Sequence, residues 1–294
     1  MRFFSSGNGL VGVLFSAAVF GFQWSGPAHA AEESPVPSAS ELLKAADRAR
    51  GAAASLSGMS WKADIESMEG DQKSHVVYKI KVKGNDALAE AIEPARNKGE
   101  TYLFNDRNLW YFKPGLKKPV SISPRQKLMG QAANGDIAST NYFKDYEAII
   151  VNQKSGPNAP SSGRDALSPG SDTPAPLNDV VSTGSENIDG KPCWKLDLKA
   201  KGKNVTYDKI HYWISKSEQL GVKAEFLTVG GDIFKIATFQ YKNKVTIKGK
   251  TFPFVSTMQI SDAKNDKNVT TFHYSSPKEE AHSPTIFNVN NFIR

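Results

Sequence analysis

The sequence predicts a mainly β fold, with one helix at the start and then about eleven strands in a large antiparallel sheet, either curved or an open barrel. Three observations carry this. Apolar residues alternate with charged ones along most of the chain, as expected of strands with one dry and one wet face. Links of hairpin type recur between them: Asp189-Gly190, Gly230-Gly231 and Lys248-Gly249-Lys250. A single stretch, opened by Ser38-Ala39-Ser40-Glu41, combines a capping-box pattern with apolar residues at helical spacing.

In chain order, Arg2 gives a short positive start, Leu10 to Phe22 is apolar, and Ala28-His29-Ala30 is a small-x-small cleavage site. Residues 1–30 therefore read as a secretory signal peptide cleaved after Ala30, too short in its apolar part to span a bilayer. Residues 31–37 read as a flexible leader. The helix that follows places Leu42, Leu43, Ala45, Ala46 and Ala49 on one broad face and ends at Gly51 or Gly58.

The period then switches to two. Trp61, Ala63 and Ile65 share a face; so do Val76, Tyr78, Ile80 and Val82, opposite Lys79, Lys81 and Lys83. Trp194, Leu196 and Leu198 repeat the pattern, as do Ile210, Tyr212 and Ile214, and then Val222, Ala224 and Phe226. Phe252, Phe254, Met258 and Ile260 read as one strand face over 252–260, and Phe272 and Tyr274 follow. Trp110-Tyr111-Phe112 makes both faces of its strand apolar, one toward the core and the other toward a cover supplied by 114–141. That irregular segment carries short helical pieces around Arg125–Met129 and Ile137–Tyr142. Gln153 to Asp179 is rich in Ser, Pro and Gly and reads as a disordered insertion within one domain over 38–294.

Composition narrows the function. One cysteine in 294 residues, Cys193, excludes a disulfide scaffold and a cysteine-rich metal or iron–sulfur site. The net charge of +7 comes without a basic run and does not imply nucleic acid. Once the signal peptide is removed, His75, His211, His273 and His282 are scattered, without metal-ligand spacing. No Gly-x-Ser-x-Gly, phosphate loop or dinucleotide fingerprint is present, and no nucleophile–base set stands out. The sequence thus points to a non-enzyme without metal or cofactor. Gly135-Asp136 reads as a turn whose Asp caps backbone amides, with ligand binding as the alternative. Lys117 and Lys118 suit either an anionic headgroup or a solvated loop.

The inward set is almost wholly aliphatic and aromatic. Trp61, Tyr78, Ile80, Trp194, Leu196, Ile210, Tyr212, Phe226, Phe254 and Met258 are the candidate ligand-binding residues of an apolar cavity wall. Alternation by itself leaves open whether this face lines a cavity or packs as a filled core.

Further motifs bear on that choice. Asn108 to Pro119, Ile122-Ser123-Pro124, Leu128-Met129-Gly130, Asn134-Gly135-Asp136, Thr140-Asn141 and Asp145-Tyr146 resemble the bacterial outer-membrane lipoprotein-sorting protein family, the LolA-like branch of the LolA/LolB superfamily. Tyr207 to Lys216 and Lys223-Ala224-Glu225-Phe226 fit the same family. The resemblance implies a half-open antiparallel barrel around an apolar cavity, with helices as its lid. It also implies a periplasmic carrier for lipoprotein acyl chains or lipid, with an inner-membrane exporter and an outer-membrane acceptor as partners. The alternative is a lipid- or lipoprotein-sensing regulatory module of the same fold that binds a membrane partner. The 153–179 insertion is longer than the family leads one to expect.

Overall fold

The computed structural model describes residues 37–51, 58–105, 108–137, 141–151 and 185–293. The signal peptide, nearly all of the leader and the 153–179 insertion lie outside the described residues.

The chain opens with α1 (Ala39–Arg48), started as its sequence dictates: the Ser38 side chain accepts from the Glu41 amide, and the Glu41 carboxylate accepts from the Ser38 amide at 2.9 Å. Three long strands follow, β1 (Met59–Glu69), β2 (Gln72–Lys83) and β3 (Asp86–Glu93), then β4 (Thr101–Asn105), β5 (Asn108–Phe112) and β6 (Val120–Ile122). A small hairpin, β7 (Lys127–Met129) and β8 (Ala132–Ala133), leads through a 3-10 turn at Asn134–Ile137 to α2 (Tyr142–Asp145) and β9 (Tyr146–Ile150). The second half runs β10 (Ser185–Ile188), β11 (Lys191–Ala200), β12 (Lys209–Ser215), β13 (Gly221–Leu227), β14 (Ile233–Gln240), β15 (Asn243–Ile247), β16 (Lys250–Phe254), β17 (Thr257–Asp262) and β18 (Val269–Glu279). Two 3-10 turns, Pro284–Phe287 and Val289–Phe292, close it.

The main sheet has fourteen strands in the order β10-β11-β12-β13-β14-β17-β18-β1-β2-β3-β4-β5-β6, with β9 also paired to β11. Fourteen replaces the expected eleven because short strands such as β6 and β10 carry too few residues to show a period. Register carries the apolar face across the sheet without a break. Leu196 pairs with Tyr212, Ile210 with Phe226, Met258 with Phe272, Ile65 with Phe272 on one side and Val76 on the other, and Trp61 with Ile80. The hairpin links behave as expected. Asp189 and Gly190 both take positive φ, as do Lys248 and Gly249, the geometry a two-residue turn of matching twist requires.

Three expectations need correction. The stretch 252–260 is two strands in different sheets, because Val255 and Ser256 turn the chain between Phe254 and Thr257. The piece around Arg125–Met129 is extended rather than helical: Lys127 pairs with Ala133 across a turn containing Gly130. The outward aromatics of β5 are not covered by 114–141. Trp110 packs with Leu88, Leu103 and Phe287, and the Phe112 ring lies 5.8 Å from that of Phe292, so the C-terminal turns cover that face.

Candidate functional site

The sheet presents one apolar face, and α1, the β7–β8 hairpin, α2 and the β15–β16 hairpin lie on it. From α1, Leu42, Leu43 and Ala46 are buried; Ala132, Ile137, Tyr142 and Val245 join the same core. All ten candidate wall residues are buried in this one cluster, nine on the main sheet and Phe254 on β16.

Ring contacts hold several of them to their neighbours. The Trp61 ring meets Phe254 edge-on at 5.4 Å. Phe226 stacks on Tyr207 at 3.8 Å, and Tyr212 meets Tyr142 of α2 edge-on at 5.4 Å. Tyr78 lies 5.9 Å from Tyr102. The Tyr212 hydroxyl occupies the space a side chain at position 221 would fill: a Cβ on Gly221 would come within 1.8 Å of it. Gly221 is therefore fixed by the tyrosine opposite it rather than by its own backbone.

A second set of buried residues is polar. Asp136 accepts from the Ala133 amide and from the Tyr207 hydroxyl, each at 2.8 Å, so it caps a turn as expected and also anchors β12's entry. Burial pushes its carboxyl above the usual range. Lys235 donates to the Gln131 carbonyl, and burial lowers its ammonium. Under the C-terminal end of α1 lie Asp47 and Arg50, 3% and 5% exposed. The Arg50 guanidinium sits 4.5 Å from the centre of the Tyr142 ring and 4.8 Å from that of Phe239. Asp47 accepts from the Phe143 amide at 2.8 Å. Burial pushes its carboxyl up to about 7, against the pull of Arg50 and that amide.

Sequence reasoning passed over this cluster. One signal was available: Asp47 lies four residues after Leu43, on the buried side of the helix. Arg50 carries no such signal, because it follows the helix end.

Two grooves mark the opposite face of the sheet. One, of about 1000 Å³, runs over β1, β2, β17 and β18 past Glu66, Lys73, His75, Arg96 and Lys267. The other, of about 440 Å³, lies by β9, β11 and β12 and includes Ile149, Asp197, His211 and Leu227. Among the described residues no group of three or more His, Cys, Asp or Glu is placed to hold a metal ion, and no helix is long and apolar enough to cross a membrane.

The fold has solved relatives. A LolA superfamily protein from Nitrosomonas europaea is 26% identical with a TM-score of 0.66, covering 86% of this chain and 98% of its own. A putative outer membrane lipoprotein-sorting protein domain from Vibrio parahaemolyticus is 17% identical, TM-score 0.62, covering 87% and 98%. A DUF1329 family protein from Desulfovibrio piger is 17% identical, TM-score 0.62, covering 86% and 97%. No curated protein matches the chain. A family model described as "Uncharacterized protein" matches residues 83–159 and 172–294. The chain belongs to the family that this model defines, and it shares the fold of the LolA superfamily and of outer-membrane lipoprotein-sorting domains.

Proposed function

We propose that the protein is a non-catalytic periplasmic carrier, exported by residues 1–30, that holds the acyl chains of a lipoprotein or lipid and moves them between the inner and outer membranes. The domain over 38–294 is a half-open barrel, and its lid is α1 with the β7–β8 hairpin, the 3-10 turn at Asn134–Ile137 and α2. The observation that carries this reading is the continuous apolar face, from Trp194 on β11 through Met258 on β17 to Trp61 and Tyr78, under covers that are short or helical.

The curl is supported by one arginine. Arg125 forms a paired hydrogen bond with Asp208, both distances 2.7 Å, at the start of β12. It lies three residues beyond Ile122 of β6, and three residues reach at most about 11 Å. In a flat sheet β6 and β12 would stand ten strand spacings apart, about 48 Å. A sheet that bends back on itself brings them together and turns the apolar face inward. Lys127 to Glu69 at 2.8 Å, and the Gln131 amide to Thr270 at 2.7 Å, tie the same segment across the middle strands.

The driving force is burial of acyl methylenes, about 0.8 kcal/mol each, so a single chain of ordinary length outweighs the loss of a few cover contacts. Release requires a partner surface that binds the open form better. The test is native mass spectrometry of the protein purified from its own periplasm without detergent, followed by lipid extraction. A stoichiometric acyl-bearing adduct, lost in a folded Ile210→Asp or Phe226→Asp variant, supports the carrier. A clean protein mass with no uptake of offered phospholipid or acylated peptide removes it in favour of a filled barrel.

A further inference from the structure

Arg50, Asp47, Tyr142, Tyr212 and Tyr241 form a polar island within the apolar body. The Tyr142 ring lies 4.5 Å from the Arg50 guanidinium and 5.4 Å from the Tyr212 ring, and Asp47 accepts from the Phe143 amide beside it at 2.8 Å, so these groups share one small volume between α1, α2 and β12, with Tyr241 next to them at the end of β14. Four of their polar atoms are fully buried and have no hydrogen-bond partner: Arg50 Nη1, Asp47 Oδ1 and the Tyr212 and Tyr241 hydroxyls. The Tyr241 hydroxyl lies beside the Gly221 backbone.

A helix that only had to cover the sheet would set aliphatic groups here. Burying a guanidinium with a free N–H, beside a free hydroxyl, costs several kcal/mol. Buried polar groups that stay unpaired through folding fit a role in holding something else.

We propose that this island is a seat for the carboxylate of an acyl ligand, with Arg50 and Tyr212 donating to its oxygens while the tail runs along the apolar face. The inference rests on the carrier reading and deepens it by naming the head of the ligand. The donor set suits a small planar anion: one guanidinium N–H and one phenol, walled by Tyr142 and Phe239. Its tight aromatic walls disfavour a bulky phosphodiester. Asp47 is compatible with an anion because burial keeps its carboxyl protonated up to about pH 7, where it donates rather than repels. Trp61, with an unpartnered indole N–H of its own, lies beyond Gly51 on the tail side.

The experiment compares palmitate with hexadecanol, equal in chain length and different in the head. Binding to the delipidated full chain is read at pH 6.5 by displacement of a fluorescent fatty acid and checked by native mass spectrometry. The expected result is a preference for palmitate of at least about tenfold, lost in Arg50→Gln and reduced several-fold in Tyr212→Phe, with hexadecanol affinity unchanged. Tyr212→Phe keeps the ring contacts, so it reads the hydroxyl even where Arg50→Gln fails to fold. Equal binding of both probes, or a palmitate preference that survives Tyr212→Phe and Arg50→Gln in folded protein, overturns the seat and leaves the acyl carrier standing. Binding of neither probe overturns both.

Discussion

Two parts of the same buried face are built on opposite rules. Around β1 and β2, Trp61, Ala63, Ile65, Tyr78 and Ile80 pack against Phe254 and their neighbours with almost nothing charged among them. Around β12 and β14, under the end of α1, the same depth holds Asp47, Arg50 and three tyrosines. The first region earns its burial from area alone. The second gives up part of that gain to keep charge inside, which teaches that burial and folding are separate demands on this face. One region is dry throughout, and the other keeps charged and hydroxyl groups at the same depth.

The comparison breaks most sharply at Phe254. Phe254→Ala removes the ring set edge-on to Trp61 and is expected to cost about 3–5 kcal/mol in denaturant unfolding. A loss below 1 kcal/mol would mean that this face is loosely packed, and the contrast would fail on its dry side.

Asp47 tests the polar side through pH. Its carboxyl titrates near 7 when folded and near 3.8 when not, so the folded state holds its proton over a window where the unfolded state has lost it. Stability from this group is therefore fully present below about pH 4 and falls as pH rises toward 7, by at most about 4 kcal/mol, before levelling. Asp47→Asn keeps an acceptor for the Phe143 amide and removes the titration. Its unfolding free energy should vary less between pH 4.5 and 7.5 than that of the natural chain, and it should exceed the natural chain's at pH 7.5. Parallel pH curves for the two proteins would show that Asp47 is ionised throughout.

Gly221→Ala tests the polar region from β13. The added methyl meets the Tyr212 hydroxyl and, at 2.5 and 2.8 Å, two ring carbons, so it should cost about 3 kcal/mol, and the double variant with Tyr212→Phe should recover only part of that. Additive losses in that cycle would place the strain elsewhere. The smallest effect is a control: Ser38→Ala removes the α1 cap at about 1 kcal/mol. Because α1 covers both regions, the pH dependence should be unchanged by it.

Much of this was legible in the residues. Period-two alternation over 61–65, 76–83, 193–199 and 208–214 gave strands and their inward sides, since a pleat fixes which way every second side chain points. The capping box gave the start of α1, because Ser38 and Glu41 satisfy each other within one turn. The ten residues singled out from the alternation are all buried in one core cluster for the same local reason. The turn at Asp136 was legible too, though not that Tyr207, far along the chain, would be its second partner.

What the sequence alone determined is thus local: strand faces, turn residues, a helix start and an apolar inventory, all set by the nearest few neighbours. Only tertiary structure decided which strands are neighbours, that the C-terminal turns and not 114–141 cover Trp110, and that residues 252–260 split between two sheets. It alone brought Arg50 from the end of α1 beside Tyr212 and Phe239. Those pairings depend on the pattern of strand order and on how the covers close over the face, and no period within a single segment records either.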